Sequence, residues 1–383
     1  MPEFILNDGS TAGFEATAGS FVFVGQNGAL STTTMPAIES SGYVDVTVLG
    51  SIYSNYSEAI YHTGGGLNLI VGANGFIGNF ANHLDGLYLE DMTLVTVINN
   101  GLISTHATAI NMAGYVYNEF VDVQGHAIVN TGTISSVFGG GINASTDDVF
   151  LSLSNTGEIT GAFGVAAEGG AHITNAGRIV GDVTYAFHSA SEDAEDTIIN
   201  SGTMIGMIEM GGGDDRLINR GTVDEVGLGE GDDFYNARNG GMSGDITAGD
   251  GNDTLRGGRE DDTFRGNAGD DELRGRSGDD WLLGGDGDDS IAGQKGDDFM
   301  NGGKGADVFI FASNGGFDTI AKLQSNDTID LTALGLNRFG KDIKPHIEDA
   351  KGGSRIDLTD DFDLSIFVRG SDPDDLKASD FLL

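Results

Sequence analysis

Aspartate occurs at every ninth residue over a long stretch in the second half of the chain, and regularly spaced carboxylates of this kind can bind hard cations. Seven nine-residue copies follow one another from Ala248 to Ile310, and the copy that begins at Gly284 reads Gly-Gly-Asp-Gly-Asp-Asp-Ser-Ile-Ala. The eighth position is always large and apolar, so each copy carries one core candidate. The sixth position is aspartate in every copy: Asp253, Asp262, Asp271, Asp280, Asp289, Asp298 and Asp307.

The glycines predict the turn that brings oxygen atoms together. Glycine at positions 1, 2 and 4 favours a tight turn with positive φ, which can direct carbonyl oxygens inward. Positions 7 to 9 predict a short strand, and two consecutive copies complete one coil. Oxygen-only, flexible coordination between stacked turns suits Ca²⁺ rather than Zn²⁺. The candidate carbonyl ligands are Gly266, Ala268, Asp270, Gly275, Ser277, Asp279, Gly284, Asp286 and Asp288.

Two similar turns, at Asp215 and Asp233, precede the tandem block. These two turns are as far apart in sequence as the length of two nonapeptide copies. Alternate turns should stack on the same side of the coil. One predicted stack runs through Asp215, Asp233, Asp253, Asp271, Asp289 and Asp307, and the other through Asp262, Asp280 and Asp298. Five gaps in the first stack and two in the second predict about seven calcium ions.

A looser repeat, Gly-x-(Ile/Met/Val), occurs throughout the first two-thirds of the chain. The intervals between its glycines are unequal, and each interval is at least as long as two nonapeptides. Periods of this size are typical of solenoids, and the β-branched, alternating runs between the glycines predict strands. The apolar residues are Ile52, Ile77, Ile103, Ile134, Ile159, Ile179, Met204, Val223 and Met242. Asparagine two places before the glycine predicts a ladder along one corner: Asn99, Asn130, Asn155, Asn175, Asn200 and Asn219.

These patterns predict an all-β protein. A right-handed parallel β-helix should run continuously into a calcium-binding parallel β-roll with a β-rich C-terminal cap, because the two repeats overlap and no Pro- or Ser-rich linker separates them. The expected regions are an N-terminal cap (1–40), the β-helix (41–209), the β-roll (210–310) and the cap with an export signal (311–383). Within the β-roll, hybrid coils (202–247) precede the tandem nonapeptides (248–310).

The nonapeptides resemble those of the RTX family of bacterial proteins. The resemblance implies calcium-dependent folding outside the cell and export by type I secretion machinery, read from an uncleaved C-terminal signal such as Lys377-Ala378-Ser379-Asp380-Phe381-Leu382-Leu383. A β-helix followed by RTX repeats is also similar in architecture to mannuronan C5-epimerases. Those enzymes need cationic side chains, or calcium, near the substrate, whereas no Lys or Arg precedes Arg178 here, so the resemblance stays at the level of architecture and their catalytic residues are not matched.

Composition narrows the function further. A formal charge of −40 argues against a nucleic-acid partner, and no apolar segment is long enough to span a membrane. The chain has no cysteine, so neither disulfides nor thiolate chemistry operate. The N-terminus from Met1 to Asp8 lacks the features of a Sec signal peptide. The resemblance to RTX proteins instead implies an extracellular or cell-surface location, reached through a type I system.

A second group of candidate residues lies upstream of the repeats. His62, His83, His106 and His126 recur at close to one coil, and Tyr53, Tyr56, Tyr61, Tyr88 and Asp85 lie near the first two. They could form a site for a glycan or a metal, but unequal offsets from the coil glycines favour separate surface positions.

The combined expectation is a secreted calcium-binding solenoid with a structural or surface-interaction role, as a matrix, surface-layer or adhesive component. Self-assembly or a cell-surface glycan would then be its partner. The alternative is an extracellular β-helix enzyme that acts on polysaccharides, as a lyase or an epimerase. No catalytic residue is assigned for it.

Overall fold

The computed structural model describes residues 3–6, 13–79, 84–113, 126–144, 150–189, 193–237 and 239–383. About 56% of the chain is in strands and 5% in helices, and the fold is a β-solenoid. The expected all-β class is confirmed. The chain divides into two units, Met1–Gly211 and Gly212–Leu383.

The N-terminal unit consists of three parallel sheets, to which each coil adds one strand. The first sheet contains Glu3–Leu6, Ser20–Val24, Val44–Val48, the ends of Ile60–Val71 and Leu87–Asn99, His126–Asn130, Leu151–Asn155, Ala171–Asn175 and Thr197–Asn200. The second contains Ala29–Thr32, Ser51–Ser54, Phe76–Asn79, Leu102–Thr105, Thr133–Ser136, Glu158–Gly161 and the starts of Arg178–Ser189 and Thr203–Glu209. The third contains Phe14–Ala16, Ile38–Ser41, the starts of Ile60–Val71 and Leu87–Asn99, Ile110–Ala113, Ile142–Ala144, Val165–Ala167 and the ends of Arg178–Ser189 and Thr203–Glu209.

The apolar residues of the Gly-x-(Ile/Met/Val) repeat form the core beneath the second sheet. Each pairs in register with its counterpart one coil later, and none is exposed: Ile52, Ile77, Ile103, Ile134, Ile159, Ile179 and Met204. Side chains alternate between the two faces of a strand, so this register aligns the buried residues along the unit. The coil glycines allow close approach of successive turns. A Cβ at Gly157 would overlap the carbonyl oxygen of Gly132.

The predicted asparagine ladder is present at the corner after the first sheet. Amide Nδ2 of Asn130 donates to Oδ1 of Asn155 at 2.8 Å, and Asn155 donates in the same way to Asn175 at 2.8 Å. Asn99 and Asn200 extend the series at either end, with bonds of 2.9 and 2.8 Å. These side chains are fully buried. Each amide both donates and accepts, so the ladder satisfies itself without any ion.

The region expected to be an N-terminal cap contains coils of the same kind as those that follow. Ser20–Val24 pairs in parallel with Val44–Val48, and Ala29–Thr32 with Ser51–Ser54. Their alternating apolar side chains point into the core, with Val22 and Val24 fully buried. The expectation of a less regular cap in this region is therefore wrong for these strands, since loose spacing of the glycines concealed an ordinary strand alternation.

The C-terminal unit has two main parallel sheets on opposite sides of the coil. One contains Arg216–Asn219, Phe234–Asn236, Thr254–Arg256, Glu272–Ser277, Ser290–Lys295, Val308–Ile310, Thr328–Asp330 and Phe381–Leu382. The other contains Val226–Glu230, Ile246–Asp250, Thr263–Ala268, Trp281–Asp286, Phe299–Lys304, Gly316–Ile320 and Leu364–Arg369. Thr222–Val223 pairs with Gly241–Met242.

Position 8 of the nonapeptides forms the core of this unit, as predicted. Leu273 pairs with Leu255 and Ile291, and Leu282 pairs with Phe264 and Met300. All of these side chains are fully buried. The apolar residue of each short strand therefore lies next to its counterparts in the preceding and following coils. This stacking positions the turns at either end of the strand.

The last third of this unit ends the coil. Ile347–Ala350, Gly353–Asp357 and Leu364–Arg369 form an antiparallel meander, and Leu364–Arg369 also continues the second sheet. The short helices are Thr332–Leu334, Phe339–Ile343, Lys344–His346, Thr359–Phe362 and Ala378–Asp380. The strands expected near 307–311 and 326–331 are present, but they extend the parallel stack.

Replacing Asn155 by Ala should destabilise the protein by about 1–3 kcal/mol, because its two ladder neighbours lose a buried hydrogen-bond partner. The matched control is Ser154→Ala on the exposed face of the same strand, which should change the free energy of unfolding by less than about 0.5 kcal/mol. Urea unfolding in calcium measures both. Equal effects of the two substitutions would show that the ladder contributes nothing specific.

Candidate functional site

The nine aspartates selected from the sequence are all buried, at the start of a strand in each turn. Oδ1 of each later carboxylate accepts the backbone N–H of the aspartate one coil earlier, at 2.8 to 3.1 Å. The bonded pairs are Asp215–Asp233, Asp233–Asp253, Asp253–Asp271, Asp271–Asp289, Asp289–Asp307, Asp262–Asp280 and Asp280–Asp298. The structure thus brings these residues together in the two expected stacks.

The second oxygen of most of these carboxylates has no hydrogen-bond donor. Oδ2 is buried and unpartnered in Asp233, Asp253, Asp271, Asp280, Asp289, Asp298 and Asp307. Burying an ionised oxygen without a partner is strongly unfavourable. Asp262 differs, because its Oδ2 accepts the N–H of Gly258 at 2.8 Å.

In the copies that begin with glycine, the unpartnered oxygen points at that glycine. A Cβ on Gly266 would overlap Oδ2 of Asp271, and the carbonyl oxygen of Gly284, one coil later, lies 2.7 Å from that Cβ position. The same arrangement recurs at Gly284 with Asp289. Glycine at position 1 therefore leaves a space lined by a carboxylate and a carbonyl oxygen. Positive φ occurs instead at positions 2 and 4, so the expectation of positive φ at position 1 is wrong.

The other carbonyl candidates fall into different groups. The carbonyl oxygen of Gly275 adjoins the Gly257 turn in the same way as that of Gly284 adjoins Gly266. The carbonyls of Ala268 and Asp286 accept backbone N–H groups of the preceding coil, each at 2.8 Å. The assignments of Gly266, Ser277, Asp270, Asp279 and Asp288 as carbonyl ligands remain predictions.

Position 5 carries a second ladder on the exposed side of the turn. The N–H of Asp288 donates to Oδ1 of Asp270 at 2.7 Å, and the N–H of Asp297 donates to Oδ1 of Asp279 at 2.8 Å. These bonds run from the later coil to the earlier one, opposite to the bonds of the buried ladder. Adjacent carboxylates thus tie each turn to the next from both directions.

Two residues that the sequence did not reveal extend the stacks. The N–H of Asp298 donates to Oδ1 of Asp318 at 3.1 Å, and the N–H of Asp307 donates to Oδ1 of Asp327 at 3.3 Å. Asp318 and Asp327 are both buried. The hydrogen-bonded ladders therefore continue one coil beyond Asp298 and Asp307. The sequence spacing of these pairs could have identified them, because each pair is as far apart in sequence as Asp233 and Asp253.

Burial makes the charged form of these carboxylates unfavourable in the protein alone. It raises the pKa of Asp280 and Asp318 to about 8, with neighbouring aspartates adding to the effect. It raises the pKa to about 7 in Asp233, Asp253 and Asp289, and to about 6 in Asp262, Asp271 and Asp298. At neutral pH the turns need either protons or a cation.

The donor set fits calcium. In the described ranges no three acidic or imidazole side chains meet at one point, and main-chain carbonyls lie beside the unpartnered carboxylate oxygens. Carboxylate Oδ2 and carbonyl oxygens at the position-1 glycines supply oxygen ligands, and Ca²⁺ accepts six to eight oxygens in flexible geometry. A bound ion would neutralise the buried carboxylates and join successive coils.

Comparison with known proteins bears directly on these turns. The model of the RTX calcium-binding nonapeptide repeat (4 copies) matches residues 247–282 and 274–309. The chain carries RTX calcium-binding repeats. Among solved structures, the AlgE6R3 subunit of the Azotobacter vinelandii mannuronan C5-epimerase is 26% identical over 32% of this chain and 78% of that chain, with a TM-score of 0.28. No curated protein matches the chain.

The histidines upstream of the RTX turns do not converge on one site. His62 is buried, and its Nδ1 lies 2.7 Å from Oγ of Ser40. His126 is also buried, and its Nδ1 accepts the N–H of Val95 at 3.2 Å. Burial lowers the pKa of both to about 4. His106 lies near the ring of Phe138, and His83 is outside the described residues.

The tyrosine and aspartate candidates occupy different places. Tyr61 and Tyr88 stack with ring centroids 5.7 Å apart, and the Tyr61 hydroxyl donates to Glu90 at 2.6 Å. Asp85 accepts the N–H of Thr108 and the amide of Asn111. None of the helices in the described ranges has the length and apolar character needed to cross a bilayer.

Acidification should stabilise the calcium-free RTX turns. The folded-state pKa values of about 6 to 8 exceed the ordinary value of 3.8, so the folded state takes up protons. The stabilisation of the folded state over the unfolded state is therefore present at low pH and is lost as the pH rises through 6 to 8. Each extra proton bound contributes about 1.4 kcal/mol per pH unit. Circular dichroism of metal-free protein should show more β structure at pH 5 than at pH 8. A gain in structure as the pH rises from 5 to 8 would contradict this assignment.

Proposed function

We propose that this protein is a secreted calcium-binding β-solenoid that folds on binding calcium outside the cell and has a structural or surface-interaction role. The observation that carries the proposal is the row of buried aspartate Oδ2 atoms without hydrogen-bond donors, in turns that match the RTX repeat. About seven ions between these turns would neutralise them.

Calcium dependence follows from the electrostatics of the stacks. The chain carries a formal charge of −40, and the stacked aspartates repel one another at neutral pH. Where calcium is scarce, the C-terminal unit should therefore stay open, which suits passage through a type I secretion system. Calcium outside the cell would then close the coils, because binding and folding are coupled.

The structural or surface-interaction role is supported by how the remaining candidate groups are engaged. His62 and His126 are buried and hydrogen-bonded, and hydrogen bonding to Glu90 together with burial raises the pKa of Tyr61 to about 12. None of these groups is suited to proton transfer at neutral pH. A matrix, surface-layer or adhesive component, acting through self-assembly or a cell-surface glycan, accounts best for repeats throughout the chain.

The alternative is an extracellular polysaccharide lyase or epimerase. The stacked Tyr61 and Tyr88 on the outer face of the third sheet could contact sugar rings, with Asn111 in register beside them. Chemistry at a uronate needs a cation near the substrate carboxylate, and no Lys or Arg precedes Arg178 in the sequence. Incubation with alginate and pectate separates the two functions, since new unsaturated ends or a changed uronate ratio would indicate an enzyme.

Substituting Asp271 should weaken calcium binding, because its carboxylate lies inside a stack with one oxygen unpartnered. Asp271→Asn keeps the Oδ1 acceptor for Asp253 N–H but removes the charge. The control is Asp286→Asn, because the Asp286 side chain is exposed and pairs with Lys304. This variant keeps the main-chain carbonyl of residue 286. In calcium titrations followed by circular dichroism, Asp271→Asn should need at least tenfold more calcium to fold, and Asp286→Asn about the wild-type amount.

The wild-type protein supplies the reference for this comparison. Its β signal should rise on adding calcium and fall on adding a chelator. A circular dichroism spectrum that responds to neither would refute the proposed function, whatever the two variants do.

A further inference from the structure

A further turn of RTX geometry lies beyond the residues that match the repeat. Residues 313–318 read Ser-Asn-Gly-Gly-Phe-Asp, without glycine at position 1 or position 2. Positive φ nevertheless occurs at Asn314 (64°) and Gly316 (90°), which correspond to positions 2 and 4 of the nonapeptide. The backbone therefore follows the path of an RTX turn although the sequence has lost the motif.

Three hydrogen bonds of the RTX turn recur there. The carbonyl of Gly315 accepts the N–H of Gly296 at 3.2 Å, as position 3 does in the repeats. The N–H of Phe317 donates to Oδ1 of Asp297 at 2.9 Å, which continues the exposed ladder. Oδ1 of Asp318 accepts the N–H of Asp298 at 3.1 Å, which continues the buried one.

The turn before it presents an oxygen that lacks a partner. Asp298 is 1% exposed, and its Oδ2 has no hydrogen-bond donor. As in the other copies, this oxygen faces the position-1 glycine of its own turn, Gly293. The carbonyl of Gly296 faces Gly316, just as the carbonyl of Gly287 faces Gly305. The Asp298 turn is thus arranged like turns that have a full RTX copy above them.

The other stack ends differently. The side-chain amides of Gln324 and Asn326 donate to the carbonyl oxygens of Gly303 and Gly305, at positions 2 and 4 of the last nonapeptide. Oδ2 of Asp327 accepts the N–H of Gln324 at 2.6 Å, and its Oδ1 accepts the N–H of Asp307. N–H groups therefore satisfy these four oxygens, whereas Oδ2 of Asp307 has no donor, as in the other turns.

We propose that Ser313–Asp318 is an additional calcium turn, which holds one ion together with the Gly293–Asp298 turn, and that Gln324 and Asn326 engage the carbonyl oxygens that an ion beyond the Asp307 turn would need. This inference rests on the proposed calcium-dependent function. It makes the two stacks end by different chemistry, one by a metal ion and the other by neutral amides.

Native mass spectrometry of the full chain in calcium tests the proposal by counting bound ions. Asp318→Asn keeps an oxygen that can accept the Asp298 N–H, but it removes the carboxylate charge. It should bind one calcium ion fewer than the wild-type protein. The matched variant Asp327→Asn should bind the wild-type number, because both oxygens of Asp327 already accept N–H groups.

A second variant tests the amide closure without altering Asp318. Gln324→Glu with Asn326→Asp replaces the two donors by carboxylates beside the carbonyls of Gly303 and Gly305. Those oxygens then need a cation, so this double variant should bind one ion more than the wild-type protein. An unchanged number would overturn the amide closure.

The outcomes separate this inference from the proposed function. A wild-type protein that binds no calcium would refute the proposed function. A wild-type protein that binds several ions, together with an Asp318→Asn variant that binds the same number, would overturn the additional turn alone. Equal losses in Asp318→Asn and Asp327→Asn would also overturn it, because the two stacks would then end alike.

Discussion

Most of the RTX turns bury a carboxylate oxygen that has no hydrogen-bond donor, whereas in Asp262 this oxygen accepts the N–H of Gly258. The ladder of backbone N–H groups satisfies Oδ1 of the aspartates, whereas Oδ2 faces a glycine and the carbonyl of the next coil. An ionised oxygen in this position disfavours the closed coil, and a calcium ion reverses that effect because it attracts both kinds of oxygen. Under the proposed function, the folding of the C-terminal unit depends on an ion that binds where its coils are stacked.

The N-terminal unit meets the same problem of stacking polar side chains with different chemistry. Asn130, Asn155 and Asn175 each donate to the next amide and accept from the one before, so the row is complete and neutral. Aspartate can only accept when ionised, and a row of aspartates must recruit protons or cations. The exchange of one side-chain atom, nitrogen for oxygen, thus separates a row that satisfies its own hydrogen bonds from one that leaves buried oxygens without donors.

The sequence was sufficient to predict the elements that repeat strictly. The core residues at position 8, the aspartates at position 6 and the asparagine ladder all follow from a fixed offset within a coil. Asp318 and Asp327 were missed because an insertion lengthens each coil beyond two nonapeptides and the leading glycine is absent. The role of glycine at position 1 was also beyond the sequence, since it depends on where the carboxylate of Asp271 points. Coils in the expected N-terminal cap were missed because their glycines are irregularly spaced.

The most direct test of this account is a crystal structure of the protein grown in calcium, with anomalous scattering used to locate the ions. Calcium should lie about 2.3–2.6 Å from Oδ2 of aspartates within the stacks, such as Asp271 and Asp289, with carbonyl oxygens of the next coil completing its coordination. Turns that show the same buried carboxylates with no anomalous peak beside them would contradict the account.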